Sequence, residues 1–212
     1  MAAQLLEGKP VAESVLKDVK ERTVALNAKG VTPGLGTILV GGDSASAGYV
    51  ARKHETCETV GIKSFHIDVT SDQTQADLIA AVDSFNANPE VDAYLIQHPL
   101  PDGFDFNAAL SRMVAAKDAD GLHPVNLGKL VLQEPGPIPC TPAGIQAIFV
   151  HYGINISGKE VVIIGRGPTL GRPLALLLTL KQAGANAAVT VVHTGVPDIS
   201  FYTKRADIVV AA

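Results

Sequence analysis

The alternation of helical and extended segments is the feature that most constrains the fold of this 212-residue chain. Between Val11 and Gln97, amphipathic helical patterns alternate with short apolar runs such as "GLGTILV", Gly34 to Val40. Consecutive strands separated by a helix are usually joined by a right-handed crossover, which makes the strands parallel. The sequence therefore predicts an α/β protein built on parallel sheets.

Apolar periodicity, together with glycine or proline at segment ends, predicts where the individual elements lie. The predicted helices are Val11 to Lys29, a helix containing Tyr49 and Lys53, about Gln73 to Asn86, about Pro142 to Tyr152, and one that begins between Pro168 and Pro173. The predicted strands are Gly34 to Val40, Ser64 to Val69, Val91 to Gln97, Glu160 to Ile164, Ala188 to Val192, and Asp207 to Ala211.

A glycine- and proline-rich segment, "QEPGPIPCTPAG", indicates a domain boundary. We predict a first α/β domain over residues 1–139 and a second domain over residues 140–212. In the second, a buried strand runs into a glycine-rich turn and then a helix, the pattern of a Rossmann-like dinucleotide-binding domain.

Composition argues against several other classes of protein. A net charge of -4 provides no basic surface for nucleic acid or an anionic membrane. Cys57 and Cys140 lie far apart, which suggests neither a disulfide framework nor a metal site. Charges at Glu7, Lys9 and Glu13 stand where a signal peptide would be apolar. We expect a cytoplasmic protein with no membrane span and no metal.

The stretch "AGYVARKHETC" places Lys53 within an otherwise apolar helical stripe. The stripe comprises Ser46, Tyr49, Val50, Lys53, Cys57 and Val60. One interpretation is a lysine that lays its stem on the core and extends its ammonium into water. The other is a functional lysine, which requires partners elsewhere in the chain.

Two further polar segments provide possible partners. Gln97 ends the strand "VDAYLIQ", where Pro99 and Pro101 prevent its continuation. Ligands of open parallel sheets bind outside this carboxyl edge. The segment "KDADG" contains Asp118 and Asp120, either of which could be an ordinary turn acid.

The glycine turn "GRGPTLGRP" allows close backbone approach to a pyrophosphate at a helix N-terminus. A structural glycine turn is the alternative. The strand that follows ends in His193 and Thr194 where an NAD site usually has an acid, and Arg166 and Arg172 lie in the turn. Because guanidinium groups pair with phosphate, the sequence favours NADP over NAD, unless both arginines are only solvated.

Taken together and in order, Tyr49-x-x-x-Lys53, "IQHPLP", "KDADG", "PCTPAG" and "GRGPTLGRP" are specific. Over essentially its whole length the chain resembles the bifunctional methylenetetrahydrofolate dehydrogenase/methenyltetrahydrofolate cyclohydrolase family. The resemblance implies a homodimeric one-carbon enzyme linked to purine biosynthesis. It would oxidise methylenetetrahydrofolate with NADP and hydrolyse the methenyl product to formyltetrahydrofolate.

The resemblance also implies roles for individual residues. Tyr49 would lie against the folate ring system, Lys53 would be the essential catalytic lysine, Gln97 would hydrogen-bond that lysine or the reacting centre, and Asp120 would hold the pterin. Pro99 and Leu100 would complete the folate pocket. The implied cofactor-binding residues are Gly165, Arg166, Gly167, Gly171, His193 and Thr194.

The chain departs from the family pattern at several positions. Gly167 replaces a usual serine, His98 a usual apolar residue, and Ala119 a usual valine, while "HTG" replaces a common "HS-x-T". Relatives also continue beyond "ADIVVAA" through further strands and a "PVPGGVGP" segment, so we expect an incomplete second domain. Two alternatives remain at this stage: a catalytically silent folate- or dinucleotide-binding protein, and another NADP dehydrogenase that shares only the second domain.

Overall fold

Two three-stranded parallel sheets form the framework of the structure, a computed structural model that describes residues 3–212. Strands β1 (Gly34–Val40), β2 (Lys63–Val69) and β3 (Ala93–Ile96) pair in the order β2-β1-β3. Strands β4 (Glu160–Ile164), β5 (Ala188–Val192) and β6 (Ile208–Ala211) pair in the order β5-β4-β6. Each of these pairings is parallel, which confirms the predicted α/β class.

Helices connect the strands and cover the sheets. They are α1 (Gly8–Asn27), α2 (Ser44–Val60), α3 (Gln75–Ala87), α4 (Phe106–Arg112), α5 (Pro124–Leu132), α6 (Cys140–His151), α7 (Gly171–Thr179) and α8 (Ser200–Thr203). A short 3₁₀ turn spans Ala115–Lys117. None of the helices within residues 3–212 combines the length and the apolar character that a membrane crossing requires.

The chain divides into two compact units. One unit comprises Ala12–His123, and the other comprises Pro124–Ala212 together with the N-terminal segment up to Val11. Helix α5 packs against α7 of the same unit. The boundary between residues 139 and 140 was predicted for the functional domains, and it stays a prediction.

In the unit Ala12–His123, the two faces of the sheet have different neighbours. One face is apolar and packs against α3 through a core that includes Ile38, Tyr94 and Phe85. The other face carries Thr37 opposite Leu95 in the strand register, and the period of two places Gln97 on that same face. Helix α2 packs over β1 and β2 on this second face.

Helix α2 has defined ends at both termini. The Asp43 carboxylate accepts the Ser46 N–H at 2.9 Å, which satisfies one of the unpaired donors of the first turn. Gly61 closes the helix at φ 81°, a left-handed conformation that glycine adopts without a steric penalty. These caps fix the residue at which α2 starts and, with it, the axial positions of Tyr49 and Lys53.

The other unit is built around β4, whose central residues Val161, Val162 and Ile163 are buried. Helix α7 contributes Leu174 and Leu178 to the core, and α6 contributes Phe149. This strand-turn-helix arrangement presents the glycine-rich turn at the carboxyl end of β4.

Three helices are absent from the sequence prediction: α4, α5 and α8. Each is short, with seven, nine and four residues respectively. Helix α5 begins with Pro124 at its first position, where the missing N–H has no cost, but Gly128 weakens its internal pattern. Such short segments gain their stability from tertiary packing, which periodicity does not reveal.

Candidate functional site

Lys53 and Gln97 meet at the carboxyl edge of the first sheet. The Gln97 backbone N–H donates to Ile38 O at 2.8 Å, which continues the β1–β3 ladder by one residue. Lys53 Nζ donates to Gln97 Oε1 at 2.7 Å, and Gln97 Nε2 donates to His98 O at 2.9 Å. The second bond orients the amide so that its oxygen faces the ammonium. The half-buried lysine is therefore held by a protein acceptor and does not simply extend into solvent.

Tyr49 lies one helical turn before Lys53, and its ring is exposed. The residue is 55% exposed, and the Arg52 guanidinium carbon lies 4.8 Å from the ring centroid. Within the apolar stripe, Ser46, Val50, Cys57 and Val60 are buried, whereas Tyr49 is exposed. The exposed ring leaves an aromatic surface next to the lysine.

A cleft of about 430 Å³ runs between α1 and α2. Its walls are mostly apolar and are formed by Leu16, Val19, Leu35, Val60 and Ile62, with Tyr49, Arg52, Lys53, Thr56 and Cys57 along α2. The lysine thus combines an apolar environment for its stem with a fixed position for its ammonium.

In the segment "KDADG", Lys117 and Asp118 bind the backbone of the fold. Lys117 Nζ donates to Phe85 O at 3.0 Å and Asn88 O at 2.8 Å, which satisfies carbonyls at the end of α3. Asp118 is buried and accepts the backbone N–H groups of Gly121 and His123 at 3.0 and 2.8 Å. Asp118 is therefore the turn acid.

Asp120 is brought to the carboxyl edge by this turn. Asp118 forms an isolated parallel bridge with Tyr94, and the Ala119 N–H donates to Tyr94 O at 3.1 Å. The bridge is isolated, and Ala119, Asp120 and Gly121 bend away directly after it, so Asp120 lies just beyond the point where this segment pairs with β3. Beyond Gln97, Pro99 is exposed and Leu100 packs against the core.

The glycine turn brings the start of α7 close to the end of β4. A Cβ on Gly171 would collide with Gly165 O and would lie 2.7 Å from Gly165 C and 2.9 Å from Arg166 N. Gly171 is therefore required by close backbone approach, whereas a Cβ on Gly167 would meet nothing within 4 Å. The open side of Gly167 is the side on which a pyrophosphate can approach the helix N-terminus.

Arg166 and His193 place two hydrogen-bond donors side by side. The Gly195 N–H donates to His193 Nδ1 at 3.0 Å, so the neutral ring carries its proton on Nε2. That Nε2 lies 3.1 Å from Arg166 Nη1, and a guanidinium group has no acceptor. The pair therefore suits an anionic acceptor, and exposed Thr194 follows directly. These groups fit a phosphate of a dinucleotide.

A polar cluster beneath α2 was not identified from the sequence. Thr37 Oγ1 lies 3.2 Å from His54 Nε2 and 2.8 Å from His66 Nδ1, and His66 Nε2 lies 2.9 Å from Asp68 Oδ1. Ser64 Oγ hydrogen-bonds to His54 Nδ1. The signal was present, because Ser64, His66 and Asp68 alternate with apolar residues along β2.

The geometry defines a class of protein: two parallel α/β units, one with a lysine–glutamine pair at a sheet edge and one with a dinucleotide-binding glycine turn. Residues 6–120 match the family model "Tetrahydrofolate dehydrogenase/cyclohydrolase, catalytic domain". Residues 139–212 match "Tetrahydrofolate dehydrogenase/cyclohydrolase, NAD(P)-binding domain". The chain belongs to the tetrahydrofolate dehydrogenase/cyclohydrolase family.

Individual relatives agree with this assignment. The chain is 68% identical over 212 residues to the bifunctional protein FolD of Syntrophotalea carbinolica, covering 100% of this chain and 73% of that protein. It is also similar to the crystal structure of the bifunctional FolD enzyme of Campylobacter jejuni, with a TM-score of 0.94 and 38% identity over 100% of this chain and 74% of that one.

A third relative is the FolD enzyme of Trypanosoma brucei, solved with NADP cofactor and inhibitor. Its TM-score is 0.92 at 36% identity, covering 100% of this chain and 72% of that one. The chain is accordingly a bifunctional methylenetetrahydrofolate dehydrogenase and methenyltetrahydrofolate cyclohydrolase with NADP as cofactor. A catalytically silent binding protein is not favoured.

Proposed function

We propose that Lys53 and Gln97 form the proton-transferring pair of the cyclohydrolase reaction. The observation that carries this proposal is the 2.7 Å hydrogen bond from Lys53 Nζ to Gln97 Oε1 at the carboxyl edge of the sheet. A lysine held in one position next to an open edge can exchange protons with a bound substrate, because general acid–base catalysis depends first on placement.

The hydrolysis gives this pair two proton transfers to assist. Water adds to the methenyl carbon and must lose a proton, and one C–N bond of the adduct then breaks while its nitrogen gains a proton. Lys53 relays the proton between these two positions, and Gln97 holds the lysine while it does so. The products are formyltetrahydrofolate and one released proton.

The remaining folate-site residues act by binding and orientation. We assign the exposed Tyr49 ring to stacking against the folate ring system, because an aromatic face next to Lys53 suits a flat partner. Asp120 is assigned to the pterin, whose N–H groups a carboxylate can accept. Pro99 and Leu100 border the substrate beyond Gln97. Because Asp120 would orient the pterin relative to Lys53 and Gln97, we count it with these two residues as catalytic.

The dehydrogenase reaction uses the glycine turn. NADP, when bound, would supply the hydride acceptor for oxidation of the methylene carbon of the folate to the methenyl product. We propose that Gly165, Gly167 and Gly171 give the pyrophosphate access to the start of α7. The donors of Arg166, His193 and Thr194 then hold the 2′-phosphate.

The test of the lysine is the variant Lys53→Met, which retains the packing of the stem and removes the ammonium. We expect hydrolysis of methenyltetrahydrofolate to fall by roughly 10²- to 10⁴-fold, while folate binding is largely kept. Lys63→Met is the matched control, because Lys63 is exposed and pairs with Glu90 at 2.5 Å. Undiminished hydrolysis by folded Lys53→Met would refute the proposed role.

We further propose that residues 1–139 form the functional folate domain and residues 140–212 the NADP domain. We also propose that the enzyme works as a homodimer in the cytoplasm and supplies formyltetrahydrofolate for purine biosynthesis. The dimer is what the resemblance to the family implies. Light scattering of the purified protein tests the dimer, and a monomeric mass would exclude it.

A further inference from the structure

We propose that Thr37, His54 and His66 form a positioning chain that fixes the rotation of α2 about its own axis and so places Lys53 against Gln97. This inference rests on the catalytic role proposed for Lys53. We assign these three side chains no contact with the substrate. They act by positioning Lys53.

The direction of every hydrogen bond in the chain follows from its carboxylate end. Asp68 only accepts when ionised, so His66 donates to it from Nε2 and accepts at Nδ1 from the Thr37 hydroxyl. The Thr37 oxygen then accepts from His54 Nε2, and His54 Nδ1 accepts from the Ser64 hydroxyl. Phe65 O, at 3.4 Å, is a second and more distant acceptor for the Thr37 hydroxyl.

The positioning chain ties α2 to β1 and β2, and the bond from Lys53 ties it to the end of β3. Strand β1 lies between β2 and β3. His54 reaches Thr37 on β1 and Ser64 on β2, while the preceding residue, Lys53, reaches Gln97 at the end of β3. Two adjacent residues of one helix are therefore tied toward opposite edges of the same sheet. A rotation that lengthened one set of bonds would also displace the other.

The choice of threonine at position 37 supports this interpretation. Thr37 is 1% exposed in a strand whose neighbours Ile38, Leu39 and Val40 are apolar. Valine has the same shape and a higher preference for a buried strand, and a buried hydroxyl is costly unless it is hydrogen-bonded. A hydroxyl at this position is accounted for by the two imidazoles that it joins.

The test compares Thr37→Val, which keeps the shape and removes the hydroxyl, with Thr37→Ser, which keeps the hydroxyl and removes a methyl group. Thr59→Val is the matched control, because the Thr59 hydroxyl donates to Glu55 O within α2 and plays no part in anchoring the helix. His54→Leu removes the same hydrogen bonds from the helix side, at a half-buried position. It replaces Thr37→Val in the test if that variant does not fold. Hydrolysis of methenyltetrahydrofolate is measured as kcat and KM separately, with Lys53→Met assayed alongside.

We expect Thr37→Val and His54→Leu to lower kcat by about fivefold or more, since small displacements of a catalytic group are costly, with KM changed by less than about twofold. Thr37→Ser and Thr59→Val should retain kcat. Unchanged kcat in folded Thr37→Val, or an equal loss in Thr37→Ser, would overturn the positioning role and indicate packing alone. Full hydrolysis by Lys53→Met would instead overturn the proposed function itself, so the two failures are distinguishable.

Discussion

Two half-buried lysines in the same unit show how partners, and not burial alone, separate a structural residue from a functional candidate. Lys117 donates to two backbone carbonyls at the end of α3, Phe85 O and Asn88 O. Lys53 donates to one side-chain amide at an open sheet edge. Its second and third N–H groups can therefore serve a ligand, whereas the geometry of Lys117 is committed to the fold.

At the same scale, Arg166 should determine which dinucleotide binds. Arg166→Ala removes the guanidinium donor that lies 3.1 Å from His193 Nε2, and of the two dinucleotides only NADP carries a 2′-phosphate for this donor to contact. We expect the Kd for NADP to rise roughly 10- to 100-fold, the value of one charge-assisted hydrogen bond, while the Kd for NAD changes little. Isothermal titration with both dinucleotides measures this.

The matched control for that measurement is Arg172→Ala, in the first turn of α7. Arg172 borders a small apolar cleft with Leu127, Val131 and Leu176, and its backbone N–H donates to Gly167 O at 3.1 Å. We expect Arg172→Ala to leave the ratio of the Kd for NADP to the Kd for NAD unchanged. Equal weakening of NADP and NAD by Arg166→Ala would mean that Arg166 supports the loop and does not select the phosphate.

At the scale of elements, the polar cluster beneath α2 should make stability depend on pH. Burial, followed by repulsion from His66, lowers the pKa of His54 below its ordinary value of 6.5. The unfolded chain therefore binds a proton more readily than the folded chain, and acidification favours unfolding. The stability is complete above about pH 7.5 and declines as the pH falls through 6.5 toward the lower pKa of the folded state.

Urea unfolding at a series of pH values tests this expectation. His54→Gln removes the titrating group, so its free energy of unfolding should vary less between about pH 7.5 and about 5.5 than that of the native chain. His66 and Asp68 also face this cluster and remain in both proteins. The carboxylates of Asp77 and Asp207, whose pKa values are lowered from 3.8, lose their contribution only at more acidic pH. An identical slope in both proteins would rule out His54 as the source.

The sequence predicted the bounds of some elements accurately and those of others less well, for physical reasons. Strands β1, β4 and β5 coincide with their predicted bounds, since each is a short apolar run ended by glycine or a polar residue. The predicted start of α3 was two residues early. Thr74 has an extended backbone and caps the helix, and its N–H donates to the Asp77 carboxylate at 2.8 Å. The cluster under α2 needed the strand register, which pairs Thr37 with His66 across a separation of 29 residues.

At the scale of the molecule, we expect the two reactions to respond differently to a change in the glycine turn. Gly171→Ala should disturb the glycine turn, because its Cβ collides with backbone atoms of Gly165 and Arg166 that have little room to move. We expect NADP-dependent oxidation to fall at least about tenfold, and hydrolysis of supplied methenyltetrahydrofolate to stay within about twofold, since only the first reaction needs the dinucleotide.

Gly167→Ala is the control for that substitution, since the added Cβ meets no protein atom. It should leave thermal stability unchanged even if it crowds the cofactor, whereas Gly171→Ala should lower it. Parallel losses of oxidation and hydrolysis in Gly171→Ala would show that the two reactions are not separable in this way.

The resemblance to the family and the structure each identify different features of the candidate site. The resemblance implied which residues serve folate and NADP, because no spacing rule identifies a pterin. The structure supplied what a linear pattern could not: the bond between Lys53 and Gln97, and the assignment of Asp118 to the turn. It also supplied the donor pair at Arg166.

The most direct test of the central claim is a double-mutant cycle on Lys53 and Gln97, with kcat/KM for hydrolysis of methenyltetrahydrofolate as the measured quantity. Residues that act as one catalytic unit give strongly non-additive losses. If Gln97 works by holding Lys53, the double variant Lys53→Met/Gln97→Ala should be no slower than Lys53→Met alone, within about twofold. Losses that multiply, with the double variant slower than Lys53→Met by the full factor of Gln97→Ala, would contradict the account.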